Sequence, residues 1–304
     1  MTKIRDMMEL SGLPLVVITG PTASGKTAVA LDIARQINGE IICADSRTVY
    51  KHMDIGTAKP SSAERIQIPH HLLDLIQPNE HLSVGEFQDL AEAAIENIWK
   101  RGHVPMLVGG SGLYLDSVLY SFDFPPAADP VVRSKYNDMT LDELVVELRR
   151  ASPERSETID LKNKRRVVRA LETQAVGTGR RFDLLPGALV IGMALNKDVA
   201  RDRIAKRVEL MLSQGFVEEV TYIGETYDWD CAAFNVIGYR AFAPVVQGLE
   251  SIEVGTEHFI RGDLALYKKQ MTWFKKNLDI KWVENPQAAQ VLAQAYIANL
   301  KGIL

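Results

Sequence analysis

Hydrophobic positions along the chain follow two different spacings. Short unbroken apolar runs, at 13–19, 41–44, 104–108 and 188–195, have the length of strands buried on both faces. Between them lie stretches whose apolar residues recur three and four apart, the spacing of one helix face. Val29, Ala30, Ile33, Ala34 and Ile37 make the first such stripe, which Asn38-Gly39 ends. Phe87, Leu90, Ala91, Ala94, Ile95 and Ile98 make the second. Ser83 and Glu86 open it as a capping box, and Lys100-Arg101-Gly102 closes it with basic residues and a glycine. Strand, helix and strand in this order predict βαβ crossovers and a parallel sheet with helices on its faces.

The texture changes after Tyr120. Phe124-Pro125-Pro126 and Ala127-Ala128-Asp129-Pro130 read as a linker, and Thr140 with Glu143 opens a helix bearing Leu141, Leu144, Val145 and Leu148. Ser152-Pro153 starts another, and no strand pattern returns until Ala188. After that strand, 198–213 reads as a long amphipathic helix. The expected organisation is an α/β core over 13–124 and 184–285, a small helical insertion domain over 125–183, and a C-terminal tail over 286–304.

Candidate chemistry starts between the first strand and the first helix. Gly20-Pro21-Thr22-Ala23-Ser24-Gly25-Lys26-Thr27 fits the phosphate-loop pattern G-x-x-x-x-G-K-[ST]. Strand, glycine loop and helix together aim successive backbone N–H groups and the positive helix end at one spot, which suits a diphosphate. The fold this predicts is a P-loop NTPase-like parallel sheet flanked by helices. Within it, Lys26 should contact the phosphates and Thr27 should ligate Mg²⁺. The second strand ends at Asp45-Ser46-Arg47, at the sheet edge where ligands bind. The third ends in Gly109-Gly110-Ser111-Gly112 and offers no acid. Asp45 is thus either a base for a substrate proton or the metal-organising carboxylate of a small-molecule kinase.

A series of motifs narrows this. After the phosphate loop come Asp45-Ser46-Arg47-Thr48-Val49-Tyr50, Ile55-Gly56-Thr57-Ala58-Lys59-Pro60, His70-His71-Leu72-Leu73-Asp74 and Gly109-Gly110-Ser111-Gly112-Leu113-Tyr114. Arg165-Arg166-Val167-Val168-Arg169-Ala170-Leu171-Glu172, Val236-Ile237-Gly238-Tyr239-Arg240 and Lys268-Lys269-Gln270-Met271-Thr272-Trp273-Phe274 complete it. In this order, from residue 14 to about 276, the chain resembles the tRNA dimethylallyltransferase (tRNA isopentenyltransferase) family. The resemblance implies transfer of a dimethylallyl group from dimethylallyl diphosphate to the exocyclic N6 amine of the adenine 3′-adjacent to the anticodon, with Mg²⁺ and release of diphosphate. It also implies a monomer that grips the anticodon stem-loop. An adenine amine is a weak nucleophile, so a carboxylate that takes its proton is needed, and Asp45 is the candidate. Ser111, where the family has threonine, and Arg203 join it as expected catalytic residues; Arg207, one helical turn on, competes with Arg203 for the diphosphate.

Expected acceptor contacts are Asp45, Ser46, Arg47, Thr48, Ser111, Arg133, Arg165, Arg166, Arg169, Asn235, Gly238, Tyr239, Arg240, Lys268, Lys269, Gln270, Thr272, Trp273 and Lys275. Several depart from the family pattern: Thr48 replaces a glutamine, Ala241 follows Arg240 where glutamate is common, and Lys269 replaces an arginine. Asn235 stands near a usual glutamine, and the insertion is short. These changes bear on the acceptor more than on the donor. Trp273 reads either as a core residue or as a platform for a base. His70 and His71 beside Asp74 resemble metal ligands, yet adjacent histidines point to different faces, which favours a structural or substrate-orienting role over metal ligation.

Composition modifies the picture only slightly. The net charge of −4 is not that of a general nucleic-acid binder. Basic residues are nevertheless clustered, at Lys162, Lys164, Arg165, Arg166 and Arg169, at Arg201, Arg203, Lys206 and Arg207, and at Lys268, Lys269, Lys275 and Lys276. Such clusters on an acidic body suit a directed phosphate footprint, or solvated helix faces. Cys43 and Cys231 are too far apart in sequence for a CxxC motif, so a reducing compartment is expected. No signal-peptide pattern and no membrane-length apolar run occur, which predicts a soluble, cytoplasmic protein. Two rivals stand beside the main reading. An adenylate isopentenyltransferase would share the loop and the Asp but modify a free nucleotide. A P-loop kinase would consume ATP.

Overall fold

The apolar runs become parallel strands because helices cover both of their faces. In the computed structural model, which describes residues 3–122, 124, 134–136, 138–173 and 183–301, six strands form one sheet. In chain order they are β1 (Val16–Thr19), β2 (Gly39–Cys43), β3 (His70–His71), β4 (Val104–Gly109), β5 (Leu189–Met193) and β6 (Lys281–Val283). Side by side they run β3-β2-β4-β1-β5-β6, with every pair parallel. All residues of β1, β2, β4 and β5 are buried, as two covered faces require. Val16, Ile18, Ile41, Met106 and Ile191 share a core with Val29, Ile33 and Ala34 of the helix Lys26–Ile37. Val17, Ile42, Leu107 and Val190 alternate with them along the strands and therefore point to the other face. The helix Val84–Lys100, whose Phe87, Ala91, Ile95 and Ile98 are buried, packs on β2 and β4.

The chain divides into two compact units, Met1–Ser121 with Asp183–Leu304, and Phe122–Phe182. Within the second, the helices Leu141–Ala151, Pro153–Thr158 and Lys164–Glu172 enclose Leu144, Leu148, Val167 and Leu171. Asn163 caps the last of these helices by accepting the Arg166 N–H.

The segment 286–304, expected as a tail, forms the helix Pro286–Lys301. Its Ala289, Ala293 and Ile297, each four residues apart, join the core above the phosphate-loop helix, and the Tyr296 hydroxyl accepts the Leu15 N–H at 3.1 Å. Alanines make a stripe too weakly apolar to stand out in the sequence, yet narrow enough for close helix packing. A second core, around Phe216, Tyr239, Phe242 and Phe259, is built by the helices Phe216–Tyr227, Ile237–Val246 and Ile252–Phe274.

Candidate active site

The carboxyl ends of β1, β4 and β2 lie in a row, and each delivers one part of a cleft. After β1 the chain turns through the phosphate loop. The helix Lys26–Ile37 starts at Gly25, whose φ of +83° would strain any side chain, and no side chain caps it. Its leading N–H groups are therefore free to receive an anion. Gln270, from the long helix Ile252–Phe274, fixes the loop. Its Oε1 accepts the Thr22 N–H at 2.7 Å, and its Nε2 donates to the Gly110 carbonyl at 2.9 Å. The loop is thereby tied to the end of β4.

Cations surround this loop. Lys26 Nζ reaches the Pro21 carbonyl at 3.3 Å. Burial pushes its ammonium down to about 8; Asp45 opposes that shift, Arg207 adds to it, and Asp263 opposes it. Arg207 donates from Nη1 to Thr22 Oγ1 at 2.8 Å, while its Nε is buried without an acceptor. The buried Ser24 hydroxyl has no partner either. Orphaned buried donors beside a glycine loop fit an anion that completes them. Arg203 is exposed and touches the loop through Nη1 and the Ala23 carbonyl at 3.3 Å. The helix Lys197–Ser213 thus presents both arginines, Arg207 deeper and Arg203 at the rim.

Asp45 leaves β2 two strands away from β1, with β4 between them. The end of β4 stays low because it is Gly109-Gly110: a Cβ on Gly109 would lie 1.9 Å from the Ala44 carbonyl oxygen. Asp45 consequently faces the same cleft as Lys26 and Thr27. One carboxylate oxygen accepts the Arg47 N–H at 2.9 Å, and the other accepts no hydrogen bond from any described residue. Ser111 does not aim its hydroxyl freely into the cleft. It accepts the Ser46 N–H at 2.9 Å and donates to Ser46 Oγ at 3.3 Å, locking the ends of β2 and β4 together. Thr48, buried, donates to the Asp45 carbonyl at 3.3 Å.

The cleft encloses about 880 Å³, toward the upper end of the range for small-molecule sites, which leaves room for two reactants. Of the residues expected to meet the acceptor, Asp45, Ser46, Arg47, Thr48, Ser111, Gly238, Lys269, Gln270 and Trp273 line it. Trp273 is 42% exposed, donates its indole N–H to Asp116 at 3.0 Å, and covers Gly112 so closely that a Cβ there would lie 2.5 Å from the ring. It is therefore not a core residue but a partly exposed part of the cleft wall, anchored through Asp116. Asn235, Arg240, Lys268, Thr272 and Lys275 are exposed and do not line the cleft. Arg165 and Arg166 are exposed on the helix Lys164–Glu172, and Arg169 pairs with Glu172 at 3.3 Å. Arg133 lies outside the described residues.

Tyr239 is a correction. It is 0% exposed and its hydroxyl donates to Glu219, so it cannot touch an acceptor. Glu219 also accepts the N–H groups of Asp54, Ile55 and Gly56 at 2.8–2.9 Å, which pins the Ile55–Pro60 motif against the aromatic core. Lys59 fastens the other end of that motif. Its side chain, 1% exposed, reaches Asp54 and Asp74 at 2.6 Å. His71 bonds buried Glu40 at 2.6 Å, which makes it structural. His70 bonds the Ile68 carbonyl at 2.7 Å through Nδ1, lines the cleft, and keeps a buried Nε2 without a partner among the described residues. Among the described residues no three His, Cys, Asp or Glu side chains gather where they could hold a metal. The oxygen donors that face the cleft, Thr27 Oγ1 and the carboxylates, are of the hard type Mg²⁺ takes, with phosphate oxygens completing its shell. Sequence reasoning missed Glu219 and also Asp263, a cleft-lining carboxylate on the helix Ile252–Phe274.

A phosphate loop at the carboxyl ends of a parallel sheet, with an ionisable carboxylate across the cleft, defines a P-loop α/β protein built to work on a diphosphate. The sequence model described as IPP transferase matches residues 48–277, and the chain belongs to that family. It is 38% identical to the tRNA dimethylallyltransferase of Anoxybacillus flavithermus over 283 residues, 90% of this chain and 91% of the relative. Against the tRNA dimethylallyltransferase of Exiguobacterium sibiricum it is 39% identical, with 91% of each chain covered. The crystal structure of the full-length tRNA isopentenylpyrophosphate transferase of Bacillus halodurans superposes with a TM-score of 0.73 at 32% identity, covering 95% of this chain and 98% of that one. No helix among the described residues is long and apolar enough to cross a membrane.

Proposed function

We propose that this chain transfers the dimethylallyl group of dimethylallyl diphosphate to the N6 amine of the adenine 3′-adjacent to the anticodon of tRNAs, in the cytoplasm. The observation that carries the reading is the half-free carboxylate of Asp45 in one cleft with a phosphate loop whose buried donors lack partners. The adenine nitrogen attacks C1 of the dimethylallyl group, and the C1–O bond breaks with its electron pair leaving on the diphosphate. The N6 proton passes to Asp45. Lys26, Arg207, Ser24 and the loop N–H groups stabilise the negative charge that develops on the leaving oxygen. Thr27 and the diphosphate oxygens would hold Mg²⁺, which would supply further positive charge at the leaving group. Arg203 closes the rim. Gln270, Ser111 and Glu219 hold the loop, the strand ends and the Ile55–Pro60 motif in register.

Parallel incubations with labelled dimethylallyl diphosphate or ATP as donor, and tRNA or AMP as acceptor, test the reading. Label should move only from the prenyl donor to tRNA. Prenylation of AMP at a comparable rate would favour the adenylate enzyme, and ATP consumption without a prenyl donor would favour a kinase.

The target adenine is stacked in the anticodon loop and has to swing out, at a cost of a few kcal/mol that contacts elsewhere must offset. Arg165 and Arg166 suit such contacts, being exposed on the short helix of the insertion. Replacing both with alanine should raise the KM for tRNA and lower the slope of log affinity against log salt by roughly two, one per lost phosphate contact. Donor affinity should not change. An unaltered salt slope would make this a solvated helix face.

A further inference from the structure

The cleft holds a second carboxylate that the proposed reaction leaves without a task. Asp263 stands on the helix Ile252–Phe274, on the same face as Leu266, Gln270 and Trp273, which also line the cleft. It is 6% exposed, and it accepts no hydrogen bond from any described residue. Burial pushes its carboxyl up, Arg207 pulls it back, Asp45 pushes it further up and Lys26 pulls it back. Its compensation is therefore charge at a distance, from the two cations that the diphosphate will engage. A buried carboxylate without a donor is costly in itself. Beside an incoming polyanion it is worse, because Asp45 and Asp263 together already balance Lys26 and Arg207.

A divalent cation resolves this conflict. P-loop proteins usually hold one through the loop Ser/Thr and an acid at a strand end. Here β4 ends in Gly109-Gly110 and β5 in Met193-Ala194, so Asp45 is the single acid next to these strand ends. If Asp45 held the metal, its free oxygen would not be available for the N6 proton. We propose that Asp263, supplied by a helix rather than by a strand, is the carboxylate of the Mg²⁺ site together with Thr27, and that this leaves Asp45 to act as base. The inference rests on the transferase reading for the diphosphate and on the cleft geometry for the residue. Mg²⁺ keeps several of its waters and needs only one or two carboxylates besides phosphate oxygens, so a carboxylate can serve it directly or through a water. The arrangement assigns proton transfer and metal binding to two different carboxylates of one cleft.

The test uses Mn²⁺ as the metal and inorganic diphosphate as the anion, with free Mn²⁺ read by electron paramagnetic resonance and no prenyl donor or tRNA present. Asp263→Asn, close in shape, should weaken Mn²⁺ binding in the presence of diphosphate by about 10–100-fold. With the metal chelated, its diphosphate affinity should equal or exceed that of the wild type, because a repelling charge has gone. Asp45→Asn should keep Mn²⁺ affinity within a few-fold of the wild type. Asp263→Ala should repeat the loss, and thermal melting establishes that each variant is folded. Wild-type Mn²⁺ binding in either folded Asp263 variant, or a loss in Asp45→Asn alone, overturns the proposal and leaves Asp263 a counter-ion of Lys26 and Arg207. Because the assay involves no prenyl transfer, its outcome is separate from that of the donor and acceptor incubations.

Discussion

Asp45→Asn should lower the turnover of tRNA prenylation by about 10²–10⁴-fold, the range expected when a general base is removed. The side chain keeps its shape, and the bond from the Arg47 N–H can still be accepted by the amide oxygen. The turn after β2 should therefore survive, together with the adjoining bond from Ser46 N–H to Ser111. Affinity for tRNA should stay within a few-fold of the wild type, so that the loss appears in kcat and not in KM. Quantifying the prenylated nucleoside under single-turnover conditions separates the chemical step from product release. A variant that still prenylates at near wild-type rate would remove Asp45 from the reaction, and Asp263 would then be the next carboxylate to consider.

How much of this site the sequence revealed depended on whether a residue's place is set locally. The phosphate loop was legible because strand, glycines and helix are contiguous, and their geometry alone aims Lys26 and Thr27. Asp45 was legible as a strand-end acid. That β4 intervenes between β2 and β1, and that Gly109-Gly110 keeps the way open, required the sheet order. Arg203 and Arg207 could not be ranked from sequence, since they are one turn apart on one helix. Burial and the bond to Thr22 separate them in the structure. Asp263 and Glu219 carried no local signal. Each is an acid within a helical stretch, and its meaning comes from loops far away in the chain.

The fold divides in the same way. Long βαβ patterns with caps gave the core strands and the helix Val84–Lys100. Strands β3 and β6 are too short to have a pattern of their own and form by pairing to the edges of a sheet already present. The helix Pro286–Lys301 was missed because alanine contributes little hydrophobicity, even though its small side chain suits close packing. Tyr239 was misassigned for a related reason. It lies in a motif rich in acceptor contacts, but helical spacing turns it inward beside Gly238 and toward Glu219.

Lys26 gives the second large effect, and it carries a pH signature. Its ammonium is pushed down to about 8 by burial in the free cleft. A bound diphosphate favours the charged form, so binding is linked to proton uptake. The protonated fraction of the free site falls as pH rises through 8. Between pH 7 and pH 9 the affinity for dimethylallyl diphosphate, measured calorimetrically in chelator, should therefore drop about tenfold. The loss should come entirely on the alkaline side, with little change from pH 6.5 to 7. Lys26→Ala should weaken donor binding by about 2–4 kcal/mol, roughly 30–1,000-fold, because it removes one partner of a desolvated charge pair. It should also flatten the pH dependence, since the other cations at the loop, Arg203 and Arg207, are guanidinium groups. If the tenfold alkaline loss persisted in Lys26→Ala, some other group would have to be titrating in the cleft, and Lys26 would not be the cation that meets the diphosphate.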